Sequence, residues 1–572
     1  MRRLFRSSTT TPVMVLILLI GVAALVHLAL IFPAFVKGDE FRFLSDIYSL
    51  HRGTLTGVFQ RFHTHLFRWL PAVGGDEINQ IMVARVVYFF LLLGSCGLLF
   101  SLSRAFLSRE ASLFAVFCLL AFGQVLTNGT SFRYDGITVF FLLATLVLLL
   151  RSGPSIWSLS LSGAAAAIAF LITLKSLFFL PTLILVVLLR RPIASPGERI
   201  RDLGAFGISA SAVLAIAGVF HFSNLADGSL TRSTTFLQRA GGTAFSFTDL
   251  FPASSQLLGA LLLNGFIWIF IAGGAVVLLG GLKSRVRIRE AVLQLSLLLP
   301  LLSLLVYRNA FAYFYLFIMP TCMVAAGAFF DHMADRAKPK GSQMIRATMY
   351  GLSLAVFLNL ALNITYVFWD DSIPGEERLA LQQEIVDTVH RVFPDPVPYI
   401  DGVSMISSFP KVGFFLSAWG WEGYLEGGEP IFRRLLQETA PVFLLADRPG
   451  LWIDLENGGA SLGDGSFRLF SKDLETLRDN YVPHWGVIFV AGKQVAISAA
   501  EPQDLEILIG GDYTVEAEDE IFINGTPFGP GEFVFLPRGM HRISSVVEPQ
   551  TVTLRWGRDL FRPTRPFPAP SP

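Results

Sequence analysis

Cysteine and charged residues are both scarce in this chain. The 572 residues include three cysteines, Cys96, Cys118 and Cys322, and all three fall in long apolar segments, which excludes a disulfide framework. Charged residues make up 16% of the chain and hydrophobic residues 53%, a balance too apolar for a soluble protein of this length. The formal net charge is +1, so no basic surplus points to nucleic acid as a partner.

The sequence contains many long apolar segments. A helix that spans a bilayer needs about 20 mostly apolar residues, and we identify eleven such segments. They cover residues 13–36, 80–102, 112–128, 137–150, 157–174, 177–190, 203–222, 256–281, 291–307, 310–330 and 348–368. The sequence therefore predicts a polytopic α-helical membrane protein with about eleven spans.

The basic residues between these segments predict the orientation of the chain. With the N-terminus in the cytoplasm, the cytoplasmic segments include the Arg-rich stretches 190–201 and 283–289, as the positive-inside rule requires. The start MRRLFRSS precedes an apolar run without a small-residue cleavage motif before Lys37, so we interpret this run as a retained first span. An odd number of spans places the C-terminus on the outer side.

The segment 37–79, between the first and second spans, is predicted to lie outside. Apolar and aromatic residues recur in it at helical spacing among Arg and His, a pattern typical of helices that lie on a membrane surface. We predict two interfacial helices here, within a membrane domain that covers residues 1–370.

The composition changes after the last span. Residues 371–500 alternate helical and strand-like patterns, which predicts a small α/β layer. Residues 501–560 contain six short strand patterns with a hairpin signal at Asn524-Gly525, which predicts a β-sandwich-like module. The Pro-rich residues 561–572 are predicted to be a disordered tail.

The acidic pair Asp39-Glu40 directly follows the first span. A carboxylate beside apolar surface at the mouth of a helix bundle has a raised pKa and can act as a general base. The same pair is typical of the first turn of a helix, where carboxylates stabilise the N-terminus, and charge and position alone favour this interpretation. Both interpretations stay open on these residues alone. Asp135 and Arg133 precede the fourth span on the same predicted side.

Three further cations fall at the outer ends of spans in this topology. Arg85 lies a turn inside the second span, Lys175 interrupts an apolar tract and Arg308 ends the ninth span. An ionisable group within an apolar bundle is costly unless it has a partner, so it marks a functional site by default. Cations beside a lipid-facing groove suit a phosphate group, whereas snorkelling to the interface is the alternative for each.

The order and sidedness of these motifs resemble the GT-C superfamily of membrane glycosyltransferases. The closest likeness is to the bacterial aminoarabinose transferase and protein O-mannosyltransferase branch, and it covers about residues 1–370. The matching elements are Asp39-Glu40 at the start of the first outer loop, Arg133-Tyr134-Asp135 before the fourth span, Leu174-Lys175-Ser176 with Pro181, and the Tyr-rich segment Tyr313 to Pro320. The chain departs from the aminoarabinose branch where HTHLFRWLP replaces a Lys-Pro-Pro element.

The resemblance implies an inverting glycosyltransferase on the periplasmic face of the bacterial inner membrane. Its donor would be a polyprenyl-phosphate sugar and its acceptor a lipid, a glycan or a protein. Asp39 would be the general base, and Glu40 or Asp135 would orient a substrate. The implied substrate-binding residues are Arg85, Arg133, Lys175, Arg232, Arg308 and Tyr313. No metal ligand set or cofactor is predicted, and a divalent cation stays open.

Two other functional classes remain as alternatives. A transporter or lipid flippase would favour broken helices and internal repeats. A non-catalytic assembly protein with a sugar-binding outer domain would not need carboxylates and cations on the same side of the membrane.

Overall fold

The computed structural model describes residues 10–151, 155–227, 244–284, 287–369, 376–448, 451, 468–498, 502–545 and 550–567. The chain forms two compact units. The first consists of Met1–Phe35, Leu50–Val73 and Gln80–Glu376, and the second of Val36–Ser49, Gly74–Asn79 and Glu377–Pro572. Two short pieces of the first predicted outer loop therefore group with the C-terminal part of the chain.

Each of the eleven predicted apolar segments contains helix, although residues 30–36 of the first are not helical. The helices up to residue 369 are α1 (Thr10–Ala29), α2 (Gly38–His51), α3 (His63–Leu66), α4 (Glu77–Ser103), α5 (Arg109–Ala121), α6 (Gly123–Asn128), α7 (Tyr134–Arg151), α8 (Ile156–Ile172), α9 (Leu180–Leu189), α10 (Pro196–Phe222), α11 (Ser254–Leu263), α12 (Gly265–Gly281), α13 (Ile288–Ser296), α14 (Ala312–Ala337) and α15 (Ser342–Trp369). Short 3₁₀ helices cover Leu70–Val73, Leu174–Phe179, Leu299–Leu305 and Lys338–Lys340.

The number of spans differs from the prediction. Among the described residues, six helices are long and apolar enough to cross a bilayer: α1, α4, α7, α10, α14 and α15. Two bent pairs raise the count to eight, because α11 and α12 meet at 96° and α13 meets the following 3₁₀ helix at 43°. The helices Ile156–Ile172 and Leu174–Leu189 are apolar but shorter. The chain is thus a multi-pass membrane protein, and the count of eleven is not confirmed.

Among the described residues, the second unit contains the remaining helices and all of the strands. Its later helices are α16 (Glu376–Val392), α17 (Ala418–Gly427), α18 (Phe432–Thr439) and α19 (Ser471–Asn480). The strands are β1 (Tyr399–Asp401), β2 (Lys411–Val412), β3 (Phe443–Leu445), β4 (Tyr481–Trp485), β5 (Ile488–Ile497), β6 (Gln503–Ile507), β7 (Gly511–Glu516), β8 (Ile521–Ile523), β9 (Thr526–Phe528), β10 (Phe533–Leu536), β11 (Gly539–Ser545) and β12 (Gln550–Trp556). They form an eight-stranded sheet in the order β10-β7-β12-β5-β3-β1-β2, with β4 beside β5, and a four-stranded sheet β6-β11-β8-β9.

One sheet runs through both predicted C-terminal modules. β5 pairs with β3 around Phe489 and with β12 from Gly492 to Ile497, so the sheet does not stop at residue 500. β1 is parallel to both β2 and β3, as an α/β layer requires. The hairpin at Asn524-Gly525 is confirmed, since both residues have positive φ and join β8 to β9.

Two local predictions differ from the structure. The apolar side chains of α2, among them Phe41, Leu44 and Ile47, are fully buried in protein, whereas a helix on the membrane surface would leave them exposed. The start of the Pro-rich tail is ordered: Trp485 donates to the carbonyl of Arg565 at 3.0 Å and contacts the ring of Phe567. Proline has no N–H and does not continue a helix, so a Pro-rich segment binds through contacts such as this side-chain donor and ring. Residues 568–572 lie outside the described part.

Candidate active site

A buried ion pair joins Lys175 and Asp135 in the first unit. Lys175 Nζ lies 2.8 Å from Asp135 Oδ1, and their side chains are 6% and 0% exposed. Among the described residues this is the only hydrogen bond of the ammonium, which has three N–H donors. A buried ion pair contributes little net stability, because desolvation offsets the attraction. Its presence among apolar helices therefore points to function rather than to stability alone.

A break between α8 and α9 places Lys175 at this position. Thr173 is extended and ends α8, and its side chain accepts from the backbone N–H of Lys175 at 3.3 Å. Ser176 Oγ donates to the carbonyl of Ala169 at 2.8 Å, which also accepts from the backbone N–H of Thr173 at 3.1 Å, so the break is bound to the last turn of α8. Pro181 then starts α9 in its first turn, where proline is tolerated. Local sequence thus interrupts the apolar tract and buries one lysine at a helix end.

Aromatic rings and a second cation complete the cluster. Arg133 Nε lies 3.4 Å from Asp135 Oδ2, and its guanidinium stacks 3.7 Å from the ring centre of Tyr313. The ammonium of Lys175 lies 4.7 Å from the same ring and 4.9 Å from that of Tyr134. Asp135 and Tyr134 belong to the first turn of α7 and Tyr313 to that of α14, so the starts of two helices and the break before α9 meet here.

A series of ring contacts leads from the ammonium to the surface. Phe314 lies 5.9 Å from Lys175 Nζ, and Tyr307 packs on Phe314 at 4.9 Å. Phe245 follows at 6.1 Å from Tyr307, and Phe247 stacks on Phe245 at 6.2 Å. Phe247 is 83% exposed. The rings form an apolar path that begins at a buried cation.

The other predicted cations take no part in the contacts given above for Lys175 and Asp135 in the described part of the chain. The guanidinium of Arg85 donates to the carbonyls of Ile31, Ala34 and Phe35 at 3.0, 2.7 and 2.8 Å, and so caps the chain that follows α1. Arg308 is exposed, and its backbone N–H donates to the carbonyl of Ala244. Arg232 lies outside the described residues. The structure brings Arg133, Lys175 and Tyr313 together with Asp135, and of the remaining predicted cations it gives only Arg85 a clear structural role.

The acidic pair belongs to the second unit. Asp39 is half-buried in the first turn of α2, whereas Glu40 is fully buried and accepts from the backbone N–H of Lys37 at 3.0 Å. Glu40 is thus the more desolvated of the two and stabilises the start of the helix, as carboxylates in a first turn do. Asp39 is the more accessible carboxylate. The desolvation on which the sequence prediction rests therefore affects Asp39 less than Glu40.

Sequence reasoning did not identify the rings of Tyr307, Phe314 and Phe245. Aromatic residues are frequent in apolar segments, and their pattern alone does not distinguish a site from a core. A useful signal was the lysine itself, since it interrupts a run in which a charge is costly.

Several solved membrane-enzyme structures are similar to this chain. ArnT from Cupriavidus metallidurans bound to undecaprenyl phosphate is 14% identical with a TM-score of 0.49, over 75% of this chain and 92% of that one. The Archaeoglobus fulgidus oligosaccharyltransferase tethered with an acceptor peptide is 10% identical with a TM-score of 0.49, over 96% and 97%. The mycobacterial arabinofuranosyltransferase AftD is 14% identical with a TM-score of 0.44, over 75% and 34%.

These matches agree with the resemblance stated from the sequence, which named the aminoarabinose transferase branch. No family model and no curated protein matches the sequence.

A metal is not established for this chain. One structure of the Archaeoglobus protein contains zinc and sulfate. Within the ranges that the structure covers here, no group of three or more His, Cys, Asp or Glu residues is arranged to hold a metal ion.

Proposed function

We propose that this protein is an inverting glycosyltransferase that moves a sugar from a polyprenyl-phosphate donor to a lipid, glycan or protein acceptor. The observation that carries the proposal is the buried ammonium of Lys175, which is fixed by Asp135 and lies beside a path of aromatic rings. An ammonium binds phosphate as a compact point charge, and apolar rings suit an isoprenoid chain. A phosphate carried on a long apolar chain combines both requirements.

The reaction assigns a role to each part of the cluster. As the bond between the anomeric carbon and the phosphate oxygen breaks, negative charge grows on the departing lipid phosphate. Lys175 donates to that phosphate and stabilises the charge, as electrostatic catalysis requires. Arg133 adds a second positive charge, and both cations lie over the ring of Tyr313, which attracts them by a cation–π interaction. Asp135 fixes the ammonium, and its carboxylate orients the bound sugar.

The acceptor hydroxyl needs a base. We retain Asp39 for this role, since it is the accessible carboxylate of the acidic pair, and it takes the hydroxyl proton as the oxygen attacks the anomeric carbon. One displacement inverts that carbon. Glu40 then stabilises the start of α2 through its hydrogen bond to Lys37 and takes no part in the reaction. Arg308 and Arg232 remain proposed phosphate ligands on the sequence argument, whereas the donors of Arg85 are used to cap the chain after α1.

The proposed location follows from the membrane topology that the basic residues of the sequence predict. The protein lies in the bacterial inner membrane, with the N-terminus cytoplasmic and the C-terminal unit periplasmic. Lipid-linked sugars presented at the outer leaflet would then reach the cluster from the side of the ring path. We propose no cofactor, and dependence on a divalent cation is open to direct test by chelation.

A transporter or flippase is the second candidate, because one observation favours it. α11 and α12 form a broken helix, and Asn264 at the break is buried together with Gln124 and Asn359. Broken helices with polar groups are typical of transporter sites. Here, however, Asn264 accepts from the backbone N–H of Gly123 at 2.7 Å and donates to Gln124 at 2.8 Å, so these amides satisfy the backbone that the breaks expose.

A donor screen separates the candidates. Purified protein in lipid nanodiscs is incubated with labelled polyprenyl-phosphate sugars and with membrane extracts as a source of acceptors. The proposal expects transfer of label from one of the donors and release of polyprenyl phosphate. The same donors are tested with the protein reconstituted in sealed vesicles, where movement of the lipid across the bilayer without cleavage of the sugar would support the flippase instead.

A further inference from the structure

The C-terminal helix α16 binds both ends of the segment that carries Asp39. Gln382 makes two hydrogen bonds to one residue: its Oε1 accepts from the N–H of Val36 at 2.8 Å, and its Nε2 donates to the carbonyl of Val36 at 2.9 Å. The next residue, Gln383, donates to the carboxylate of Asp76. All four residues belong to the second unit. One turn of α16 thus contacts the chain before α2 and the chain before α4.

The far end of α16 repeats the contact with the start of α4. His390 Nε2 lies 2.9 Å from Glu77 Oε2, and the other oxygen of Glu77 accepts from the backbone N–H of Ser408 at 3.1 Å. The carboxylate of Glu77 is buried, so these partners supply the donors that a buried charge needs. The segments on both sides of the first loop are therefore fixed by residues that lie more than 300 positions later in the chain.

The first turn of α2 is held by further residues of the same unit. Ser407 Oγ donates to the carbonyl of Phe41 at 2.8 Å. A Cβ atom on Gly38 would lie 2.8 Å from Cγ1 of Val403, so the close approach of the backbone here requires glycine. The guanidinium of Arg42 lies 4.8 Å from the ring centre of Phe415. These contacts surround Asp39 in sequence on both sides, at positions 36, 38, 41 and 42.

We infer that the C-terminal part of the second unit, Glu377–Pro572, sets the position of Asp39 within that unit, with Gln382 and Ser407 as the positioning residues. The inference rests on the proposed function, in which Asp39 is the general base. A first loop joined only by its own backbone would leave Asp39 free to move. Two hydrogen bonds between the Gln382 side chain and Val36, and one from the Ser407 hydroxyl to Phe41, fix the turn from either side. Catalysis by a base depends steeply on such placement. The C-terminal residues of the second unit thereby contribute to catalysis by placing the general base, in addition to any contribution to acceptor binding.

Gln382→Met tests the inference, because methionine keeps the length of the side chain and removes both hydrogen bonds. We expect kcat for transfer to fall by about tenfold to a hundredfold, the range for a misplaced catalytic group. The KM for the lipid-linked donor should stay within about twofold, since the donor is held by the Lys175 cluster rather than by Asp39. Hydrogen exchange of the amides at 36–42 should become faster. Arg378→Ala, an exposed change on the same helix, is the matched control and should alter none of these.

Ser407→Ala provides an independent second variant. It removes the hydroxyl that lies within hydrogen-bond distance of the carbonyls of Phe41 and Ser404, and it leaves both bonds of Gln382 to Val36 in place, so we expect a smaller fall in kcat in the same direction, again with unchanged KM. Gln382→Glu keeps the acceptor for the N–H of Val36 and loses the donor, so it should recover part of the kcat that Gln382→Met loses.

Asp39→Asn is measured beside these variants to separate the two ideas. If Asp39→Asn abolishes transfer while Gln382→Met and Ser407→Ala keep normal kcat, the positioning role is overturned and the proposed function stands. If Asp39→Asn transfers normally, Asp39 is not the base and the positioning role fails with that assignment, whereas the observed transfer still supports the proposed glycosyltransferase. An equal rise of KM and fall of thermal stability in Gln382→Met and Ser407→Ala, without a kcat effect, would also overturn positioning.

Discussion

The pair of Lys175 and Asp135 allows a test that distinguishes function from stability. The two residues are changed singly and together, as Lys175→Met, Asp135→Asn and the double variant. Removing one partner of a buried ion pair costs about 3–5 kcal/mol of folding free energy. Because Arg133 stays 3.4 Å from the carboxylate, we expect Lys175→Met to fall near the lower end of that range. The double variant should lose about 2 kcal/mol less than the sum of the single variants, since neither charge is left behind.

Donor affinity should follow a different pattern. A charge-assisted hydrogen bond from the ammonium to phosphate is worth about 1.5–3 kcal/mol, or about tenfold to a hundredfold in Kd. Lys175→Met and the double variant should therefore both bind the donor that much more weakly. Asp135→Asn keeps the ammonium and removes a competing anion, so its donor affinity should not fall, although its turnover should. Lys340→Met, at an exposed lysine, is the matched control.

The assays are unfolding in mixed micelles for stability and binding of a labelled polyprenyl-phosphate sugar for affinity, on the same preparations. We expect the double variant to regain stability without regaining affinity. If affinity instead returns together with stability in the double variant, Lys175 supports the fold alone and does not bind the phosphate. Normal donor binding by Lys175→Met would refute the site directly.

Three further predictions follow from the sequence and the second unit. Asp39→Asn should lower transfer by about a hundredfold in a labelled-donor assay and spare donor binding, the range expected for loss of a general base; near-normal transfer would exclude it. A reporter enzyme fused after residue 372 should be active only outside the cytoplasm and one after residue 338 only inside; the reverse would invert the topology. Burial lowers the pKa of His390, but its hydrogen bond and charge interaction with Glu77 outweigh this and raise the pKa above the usual value. The stability from this pair should be present below about pH 6 and be lost as the pH rises through the raised pKa, so thermal unfolding of the wild type, but not of His390→Leu, should show this loss.

The C-terminal unit shows which parts of a fold short-range patterns predict. Turn chemistry at Asn524-Gly525 requires positive φ, so sequence alone located that hairpin. The continuity of the sheet through β5 depends on which distant strands pair with it. β5 pairs with β3 at its start and with β12 further along, and no local sequence pattern predicts these partners. The same limit applies to the ordered segment 561–567, whose partners lie far along the chain.

The sequence by itself determined that this is a helical membrane protein and where its apolar segments lie, because the bilayer requires long runs without charge and leaves few alternatives. It also singled out Lys175, since a lysine in such a run is costly whatever surrounds it. Only the tertiary structure decided which acid it meets. Asp135 lies 40 residues away in sequence and reaches the ammonium because the helix ends converge. Likewise, Arg85 has the same charge and a similar predicted place, yet its donors cap the chain after α1, since side-chain geometry rather than residue type determines which partners a buried cation finds.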